Sequence, residues 1–420
     1  MHTISAILLG AGSRGNFIYG PYAEKYPNDF NFLAVAEPDE QRRHKFAAVH
    51  EIDAEQTFAS WEDVLAQGKI ADAAIISTQD SMHFEPAMKA LELGYHIILE
   101  KPMSTLTEEC VQLEAAAQKH GRLLMVSHVL RYSPFWATIK EVISEGTIGK
   151  VTSIQLTENV GFQHMAHSYV RGHWRNTEQS SPIILAKSCH DLDIISWLME
   201  QSCSRVSSFG SLMHFREEEA PLGSTARCTD GCAVERSCPY SAIKIYLETK
   251  DPHYARYITN NPTPANTLQA IKEGPYGRCV YRCDNDVVDH QVVNMEFENG
   301  ANASFTLSGF TQHIARTVQV MGSHGEIQGN MEDGVVKVYH FATGKQIIHQ
   351  FSPTGDGHGG GDDRFIGSFI DAIRQFDNNP NQGLTSAAAS LQSHLIAFAA
   401  EQSRINRGMP VELESFMSVV

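Results

Sequence analysis

The sequence predicts an α/β domain with a parallel sheet, followed by an α+β domain built on a large, mainly antiparallel sheet. The chain has 420 residues, whereas single cores stop growing near about 250 to 300 residues. Strand-length apolar runs alternate with helical stretches up to about residue 130, and later runs are longer and have period two. We therefore place the first domain at 1–130 and a substrate and oligomerisation domain at 131–420.

The first domain is predicted from apolar runs separated by helix-compatible segments. Alternation of this kind is typical of βαβ units, whose strands are parallel and form a doubly wound sheet. The predicted strands are Ser5–Leu9, Phe32–Ala36, Ala73–Ser77, His96–Leu99 and Leu123–Val126, and the helices include Pro86–Leu93 and Thr107–Lys119.

The second sheet is predicted from runs that alternate apolar and polar residues. These runs are Val151–Glu158, Val292–Glu298, Ala301–Leu307, Val318–Met321 and Val335–Phe341. Two late helices, at 365–376 and 386–405, are expected to pack across this sheet or back on the first domain. A segment at 208–285, rich in Cys, Pro and charge, is predicted to be an insert.

The composition excludes several classes of protein. With 42% hydrophobic and 20% charged residues the chain has the composition of a globular protein, and its apolar runs are too short for a bilayer span. A net charge of -16 disfavours nucleic acid and anionic membranes as partners, so a small neutral molecule is expected. Because Met1–Ile4 shows no signal-peptide pattern, we expect a cytoplasmic protein.

A glycine-rich segment, Gly10-Ala11-Gly12-Ser13-Arg14-Gly15, follows the first predicted strand and opens a helix. Glycine permits a tight turn and lets the main chain approach a pyrophosphate at the helix N terminus. The alternative is an ordinary strand-to-helix turn that needs small residues. The position of the segment favours a Rossmann domain that binds a dinucleotide.

The next strand ends at Glu37, where a carboxylate can accept hydrogen bonds from the adenine ribose and would repel a 2′-phosphate. This predicts NAD in preference to NADP. Arg42 and Arg43 oppose that preference, because arginine can accommodate the phosphate, although both are equally compatible with a solvated helix face.

Three features combine in this domain: the glycine-rich turn, Thr78 and His83 after the strand at 73–77, and Glu100-Lys101-Pro102 after the strand at 96–99. Their combination resembles the glucose-fructose oxidoreductase and inositol dehydrogenase (Gfo/Idh/MocA) family. The resemblance implies a catalytic Lys101 oriented by a cis Lys101–Pro102 bond, and a homo-oligomer, dimer or tetramer. It also implies that the cofactor is lined by Gly10, Gly12, Ser13, Arg14, Gly15, Glu37, Thr78, His83, Glu100 and Lys101.

Lys101 and His190 are the candidate catalytic residues. A lysine at the carboxyl end of a parallel strand can stabilise an alkoxide on a sugar carbon, although an ordinary exposed lysine would occupy the same position. The family's second motif, a histidine followed three residues later by aspartate, is found here as His190 and Asp193. Histidine suits removal of the hydroxyl proton, and the resemblance implies that Asp193 holds a substrate hydroxyl. A core or capping histidine is the alternative.

The pattern departs from the inositol dehydrogenase type at one position. That type has aspartate four residues before the histidine, where this chain has Ala186, and Lys187 lies beside the gap. Inositol specificity is therefore not carried over, and Lys187 becomes a candidate substrate contact. Trp174 and Arg171, from the stretch 167–175, are further candidates for stacking on and donating to a sugar, although they are also compatible with loop packing. The family resemblance suggests that the loop at 355–362 approaches the substrate through His358.

The chain has eight cysteines. Cys228, Cys232 and Cys238 cluster, and Cys279 and Cys283 form a second pair. Three interpretations stay open, because the spacings are not those of two Cys-x-x-Cys units. They are a structural zinc site with one ligand from the second pair, reduced buried thiols, and disulfide or iron–sulfur chemistry. Hydride transfer itself needs no metal.

Three functions follow from these residues. The first is an NAD-dependent oxidoreductase that moves a hydride between nicotinamide and a ring carbon of a sugar, glycoside or polyol. The second is a glycoside hydrolase that oxidises its substrate transiently and eliminates the aglycone. The third is a nucleotide-binding sensor without chemistry, which the presence of Lys101 and His190 disfavours.

Overall fold

A computed structural model of the chain describes residues 2–249, 253–352, 357–376 and 383–414. The strands are β1 (Ile4–Leu9), β2 (Phe30–Ala36), β3 (Thr57–Phe58), β4 (Ala73–Ile76), β5 (His96–Leu99), β6 (Leu124–Val126), β7 (Val151–Asn159), β8 (Cys203–Ser211), β9 (His290–Phe297), β10 (Asn302–Ser308), β11 (Ala315–Gly322), β12 (Gly325–Asn330), β13 (Val335–His340), β14 (Lys345–Gln350) and β15 (Val411–Glu412).

Helices connect and cover these strands. They are α1 (Gly20–Lys25), α2 (Glu40–Val49), α3 (Trp61–Leu65), α4 (Phe84–Leu93), α5 (Thr107–His120), α6 (Pro134–Ser144), α7 (Phe162–His164), α8 (Ile183–Ala186), α9 (Cys189–Met199), α10 (Pro264–Glu273), α11 (Gly361–Arg374) and α12 (Ala387–Ile405). In the described ranges, no helix is long and apolar enough to cross a membrane.

The first sheet has six parallel strands in the order β3-β2-β1-β4-β5-β6. The chain order reverses between β1 and β4, and at such a point the loops that follow the strands separate and leave a crevice for ligands. The loops after β1, β4 and β5 carry the glycine-rich turn, Thr78 and Lys101. The predicted doubly wound sheet is confirmed. The two-residue strand β3 is too short to have been predicted from periodicity.

The second sheet has nine strands in the order β14-β13-β12-β11-β7-β10-β9-β8-β15. Its pairs are antiparallel except for β7 and β10, which confirms the prediction of a mainly antiparallel sheet. Along β7 the side chains of Ile154, Leu156 and Glu158 are buried on one face. Strands β8, β12, β14 and β15 were not predicted.

The two late helices connect the halves of the molecule. Helix α11 packs on the six-stranded sheet, where Phe365 and Phe369 join the apolar cluster of Ile4 and Leu8. Helix α12 lies against α9 and β8 on one side and α5 on the other. The domain limits at 1–130, 131–420 and 208–285 stay predictions, and strand β8 extends four residues into the predicted insert.

Candidate active site

The glycine-rich turn after β1 leaves room for a dinucleotide. Gly10 has φ +95°, and a Cβ atom there would lie 2.6 Å from the main-chain oxygen of Ser77. A Cβ atom at Gly12 would meet no atom within 4 Å. The main chain is therefore tightly packed toward the sheet and open on the other side, as a pyrophosphate requires. Gly15 packs against the Gly10 carbonyl, and Ser13 is exposed at the start of the following helix.

Glu37 lies at the end of β2 beside this turn. Its two carboxylate oxygens accept from the main-chain N–H groups of Ala11, at 2.8 Å, and Asp39, at 3.0 Å. Arg43 donates to the main-chain oxygen of Glu37 at 2.6 Å, and Arg42 reaches Asn260 at 3.5 Å. The carboxylate and the two arginines thus surround the same end of the strand.

Arg14 and Glu100, both expected to line the cofactor, form a buried network under the glycine-rich turn. Arg14 Nε lies 2.5 Å from a Glu100 oxygen and Arg14 Nη2 lies 2.8 Å from Asp362. Tyr19 donates to Glu100 at 2.7 Å. Because Arg14 is held between two carboxylates, its charge is not free for a ligand, and the network fixes the helix after the turn.

His83 and Thr78 shape the neighbouring loop. The ring nitrogens of His83 lie 2.7 Å from the Pro102 main-chain oxygen and 3.3 Å from that of Thr78, and the side chain is 1% exposed. The Thr78 hydroxyl donates to the main-chain oxygen of Met82 at 3.0 Å. His83 therefore links the loops that follow β4 and β5.

Lys101 lies at the carboxyl end of β5, and the bond to Pro102 is cis. Its Nζ donates to the main-chain oxygen of Ala186 at 2.6 Å and lies 5.9 Å from the centre of the Trp174 ring. Among the described residues Lys101 forms no ion pair with a carboxylate. The ammonium group is thus held by a carbonyl and an aromatic face, and its charge is left available.

Trp174 is held beside Lys101 by a buried carboxylate. Its indole N–H donates to the two oxygens of Asp80 at 3.1 and 3.2 Å, and Ser180 donates to the same carboxylate at 3.1 Å. Asp80 was not identified from the sequence. It fixes the Trp174 ring beside Lys101.

His190, in the first turn of α9, is 5% exposed. Burial, and next the charge of Lys101, hold the pKa of His190 well below its usual value. No hydrogen-bond partner reaches its Nδ1 in the described part of the chain. His358 lies with its ring centre 5.7 Å away and contacts Asp362 at 2.8 Å. His190 is therefore a neutral imidazole that the charge of Lys101 reaches, with its Nδ1 unengaged among the described residues.

Asp193, expected to hold a substrate hydroxyl, is engaged elsewhere. Arg131 donates from Nε and Nη2 to its two oxygens at 2.7 and 2.6 Å, and the carboxylate is 1% exposed. This geometry favours a positioning role for α9 over a direct substrate contact. His128, which sequence reasoning missed, lies between His190 and His394, with ring centres 5.6 and 5.4 Å away.

Lys187, a predicted substrate contact, belongs to a buried charge network. Its Nζ lies 3.0 Å from Glu158, and Arg316 lies 2.7 Å from Glu158 and 2.8 Å from Asp191. Burial raises the pKa of Asp191 to about 6, while Arg316 limits the rise. Glu158 and Arg316 were missed, although each occupies an inward position of a period-two strand, where an apolar residue is expected.

Arg171 does not face the pocket, contrary to the prediction. Its Nε and Nη2 donate to the main-chain oxygens of Arg278, at 2.8 Å, and Tyr240, at 2.7 Å, inside the Cys-rich insert. The eight cysteines are free thiols. Where the structure describes the chain, no three Cys, His, Asp or Glu side chains stand close enough together to hold a metal ion, so the thiols of Cys228, Cys232 and Cys238 do not converge.

Comparison with known proteins identifies the family. The chain matches the Gfo/Idh/MocA models described as "Oxidoreductase family, NAD-binding Rossmann fold" over residues 4–128 and "Oxidoreductase family, C-terminal alpha/beta domain" over residues 140–413. The chain belongs to the Gfo/Idh/MocA oxidoreductase family. The resemblance of its motifs is confirmed, and the protein is an enzyme of the NAD(P)-dependent oxidoreductase type.

Members of the Gfo/Idh/MocA family match this chain to different extents. "Putative oxidoreductase YteT" of Bacillus subtilis is 25% identical over 401 residues, or 88% of this chain and 90% of the relative. "scyllo-inositol 2-dehydrogenase (NADP(+)) IolW" of the same organism is 27% identical over 42% of this chain and 46% of the relative. "2,7-anhydro-N-acetylneuraminate hydratase" of Escherichia coli is 27% identical over 35% of this chain and 39% of the relative.

A solved structure of the same fold is similar over its whole length. "Levoglucosan dehydrogenase, complex with NADH and levoglucosan" has a TM-score of 0.71 and 19% identity, and the match covers 98% of this chain and 99% of that one. The likeness supports the Gfo/Idh/MocA arrangement of a Rossmann sheet beside a large open sheet.

Proposed function

We propose that the chain is an NAD-dependent dehydrogenase that oxidises a hydroxyl on the ring of a sugar, glycoside or polyol. The observation that carries the proposal is that Lys101, at the crevice edge of the parallel sheet, is near enough for its charge to help lower the pKa of His190. Among the residues that the structure describes, Lys101 has a charge without a carboxylate partner, and His190 is neutral with an unengaged Nδ1. These are the two groups that hydride removal from an alcohol needs.

NAD, bound at the glycine-rich turn and beside Glu37, would supply the hydride acceptor. Lys101 stabilises negative charge on the substrate oxygen as the hydroxyl proton leaves. His190 takes that proton on a ring nitrogen, and its lowered pKa keeps it in the accepting form at neutral pH. Trp174 offers the apolar ring face on which the C–H side of a sugar can pack.

Substitution of the two residues tests this assignment. Lys101→Ala should lower kcat by a few powers of ten with little change in NAD affinity, because its charge acts on the developing oxyanion. His190→Ala should lower kcat by about 10²- to 10⁴-fold. The assay is NADH formation with a panel of glycosides, inositols and free sugars, with products analysed by mass. Near wild-type turnover of the His190 variant would reassign the base, and Lys187 would be tested next.

A redox-neutral reaction, in which the bound cofactor is reduced and reoxidised within one cycle, is the second candidate. It is supported by the segment at 253–261, which reaches the Rossmann domain: Tyr257 packs on Phe17 with ring centres 5.9 Å apart, and Asn260 lies 3.2 Å from Gln41. A contact beside the cofactor turn would slow cofactor exchange. In the same screen, released aglycone without accumulated NADH would favour this candidate.

NAD preference, a homo-oligomer and a cytoplasmic location are further parts of the proposal. The Glu37 carboxylate supports NAD, and the exposed apolar side chains of Phe341 and Ile348 near the β14 edge support association of chains. Eight free thiols are compatible with a reducing compartment. Light scattering after size-exclusion chromatography measures the oligomeric state.

A further inference from the structure

The Cys-rich insert contains a small cavity that the proposed reaction does not use. Its volume is about 20 Å³, enough for one water-sized object. Four cysteines line it: Cys228, Cys232, Cys238 and Cys279. Between residues 220 and 241 the described chain forms no helix or strand, and turn hydrogen bonds such as Cys238 N–H to the Val234 oxygen, at 2.9 Å, take their place.

The main chain places the fourth cysteine beside the first. Cys228 N–H donates to the Gly277 oxygen at 3.0 Å, and Cys279 N–H donates to the Ala226 oxygen at 2.9 Å. These two bonds pair the segments around 227 and 278 as a short antiparallel bridge. Cys283 is excluded from the cavity lining, because its sulfur is directed to the Cys279 carbonyl at 3.3 Å.

A buried cation faces the same cavity. Arg171 is 1% exposed and lines the cavity, and its Nη1 has no hydrogen-bond partner in the described part of the chain. Its other nitrogens reach main-chain oxygens and, at 3.8 Å, the Cys228 sulfur. Among the described residues no carboxylate pairs with it, and Glu235, the acidic residue of the lining, accepts from Ser241 instead. Burial of an unpaired charge is costly, so this arrangement calls for a negative group at the thiols.

We propose that Cys228, Cys232, Cys238 and Cys279 bind one Zn²⁺ ion as thiolates, with Arg171 compensating the charge of the centre. Four thiolates outweigh a divalent cation, so the centre is anionic and pairs with the guanidinium. The Cys228 sulfur already accepts the Ala242 N–H at 3.4 Å, as metal-bound thiolates commonly do. Binding releases one proton from each thiol, and no oxidation or reduction takes place.

The sulfur atoms line the cavity without converging on a point, so the proposal requires the Cys side chains to rotate about their Cα–Cβ bonds on binding. Soft thiolate ligands in a tetrahedral set select zinc, and the volume of the cavity favours a single ion over an iron–sulfur cluster. The site would cross-link a segment that lacks regular structure and is expected to be structural.

Metal content of the full-length chain, purified without chelators or added metal, tests the proposal independently of any activity. About one zinc ion per chain is expected, and exchange with Co²⁺ should give the charge-transfer bands of a tetrahedral thiolate site. Cys279→Ser should lower zinc content strongly, whereas the matched control Cys283→Ser should retain it. Arg171→Lys should retain more zinc than Arg171→Met.

The wild-type measurements decide the matter even if the Cys279 variant does not fold. A metal-free folded chain with reactive thiols and no Co²⁺ bands would overturn the proposal. Iron with acid-labile sulfide, or a disulfide found by mass spectrometry, would overturn it as well. Equal zinc loss in the Cys279 and Cys283 variants would overturn the assignment of the fourth ligand.

Discussion

Two cations in different parts of the molecule lack a carboxylate partner among the described residues. Lys101 lies in the crevice of the Rossmann sheet, is partly exposed and donates to one carbonyl. Arg171 lies in the Cys-rich insert, is almost completely buried and faces four thiols. The difference in burial indicates a difference in role. Water can screen Lys101 until negative charge develops on a substrate, whereas Arg171 needs a permanent negative neighbour.

Three other arginines are paired with carboxylates; Arg131 and Arg316 are buried, and Arg14 is partly exposed. Arg14 pairs with Glu100 and Asp362, Arg131 with Asp193, and Arg316 with Glu158 and Asp191. Each of these cations lies within 3 Å of at least one carboxylate oxygen. Lys101 and Arg171, by contrast, have no carboxylate partner among the described residues, and both lie where we propose chemistry or a ligand.

We expect the largest loss of stability from a substitution that breaks one of these arginine–carboxylate pairs. Asp193→Asn leaves Arg131 buried without a full counter-charge and should lower the free energy of unfolding by roughly 3–5 kcal/mol. Lys101→Met removes a cation that has no carboxylate partner among the described residues, and should change the free energy of unfolding by less than about 1 kcal/mol. Urea denaturation followed by circular dichroism measures both. As a surface control, Glu92→Gln in the exposed Lys89–Glu92 pair should cost at most about 0.5 kcal/mol.

Equal costs for Asp193→Asn and Lys101→Met would contradict the distinction between paired and unpaired cations. It would mean that Lys101 is a structural charge after all.

Buried histidines differ from buried lysines and arginines, because a histidine can stay neutral and so avoid an unpaired charge. Burial lowers the pKa of His394 to about 3, and its ring bridges the Met103 N–H and the Ser390 oxygen at 2.9 Å each. In the unfolded chain the ring binds a proton below about pH 6.5. Between these values protonation favours unfolding, so stability should fall as the pH drops, by about 1.4 kcal/mol per pH unit for each such histidine.

The measurement is the free energy of unfolding in urea at several pH values between 6.5 and 5. His394→Gln, which keeps a donor and an acceptor, should reduce the slope by about 1.4 kcal/mol per pH unit relative to wild type. Parallel slopes for the two proteins would show that this histidine is not neutral in the folded state.

The smallest expected effect concerns a buried anion. Glu37 accepts only main-chain N–H groups and has no ion pair among the described residues. If it also accepts from the ribose, Glu37→Gln should weaken NAD binding by about tenfold and improve the relative binding of NADP. Titration of both cofactors by nucleotide fluorescence checks this. An unchanged NAD-to-NADP ratio would show that Arg42 and Arg43 determine the choice.

Much of the fold follows from periodicity, and its failures have physical reasons. Buried parallel strands such as Ala73–Ile76 are continuous apolar runs, and β7 alternates clearly. Strand β8 was missed because serine and glycine occupy many of its positions, and β12 because it has two glycines and one large apolar residue. Strand β14 is a largely exposed edge without an apolar face.

For the candidate site, motifs predicted which residues gather at the sheet edge but not how they pair. Lys101 and His190 were named from family-like patterns; in the structure Lys101 lies 5.9 Å from the Trp174 ring centre, and its charge helps to lower the pKa of His190. Arg171 was a candidate substrate contact because it belongs to the stretch 167–175 before the His190 helix, yet its side chain turns into the insert. Pairings such as Arg131 with Asp193 join residues 62 positions apart, and a single sequence contains no signal for such distances.

Helix α11 has a consequence for how the molecule could be divided. It comes from residues 361–374 but covers one face of the N-terminal sheet, where its phenylalanines pack with β1. A fragment that stops at residue 130 would expose that face to water. The nucleotide-binding domain is therefore not complete without α11. Any chimera built with this domain must also include α11, which lies more than two hundred residues further along the chain.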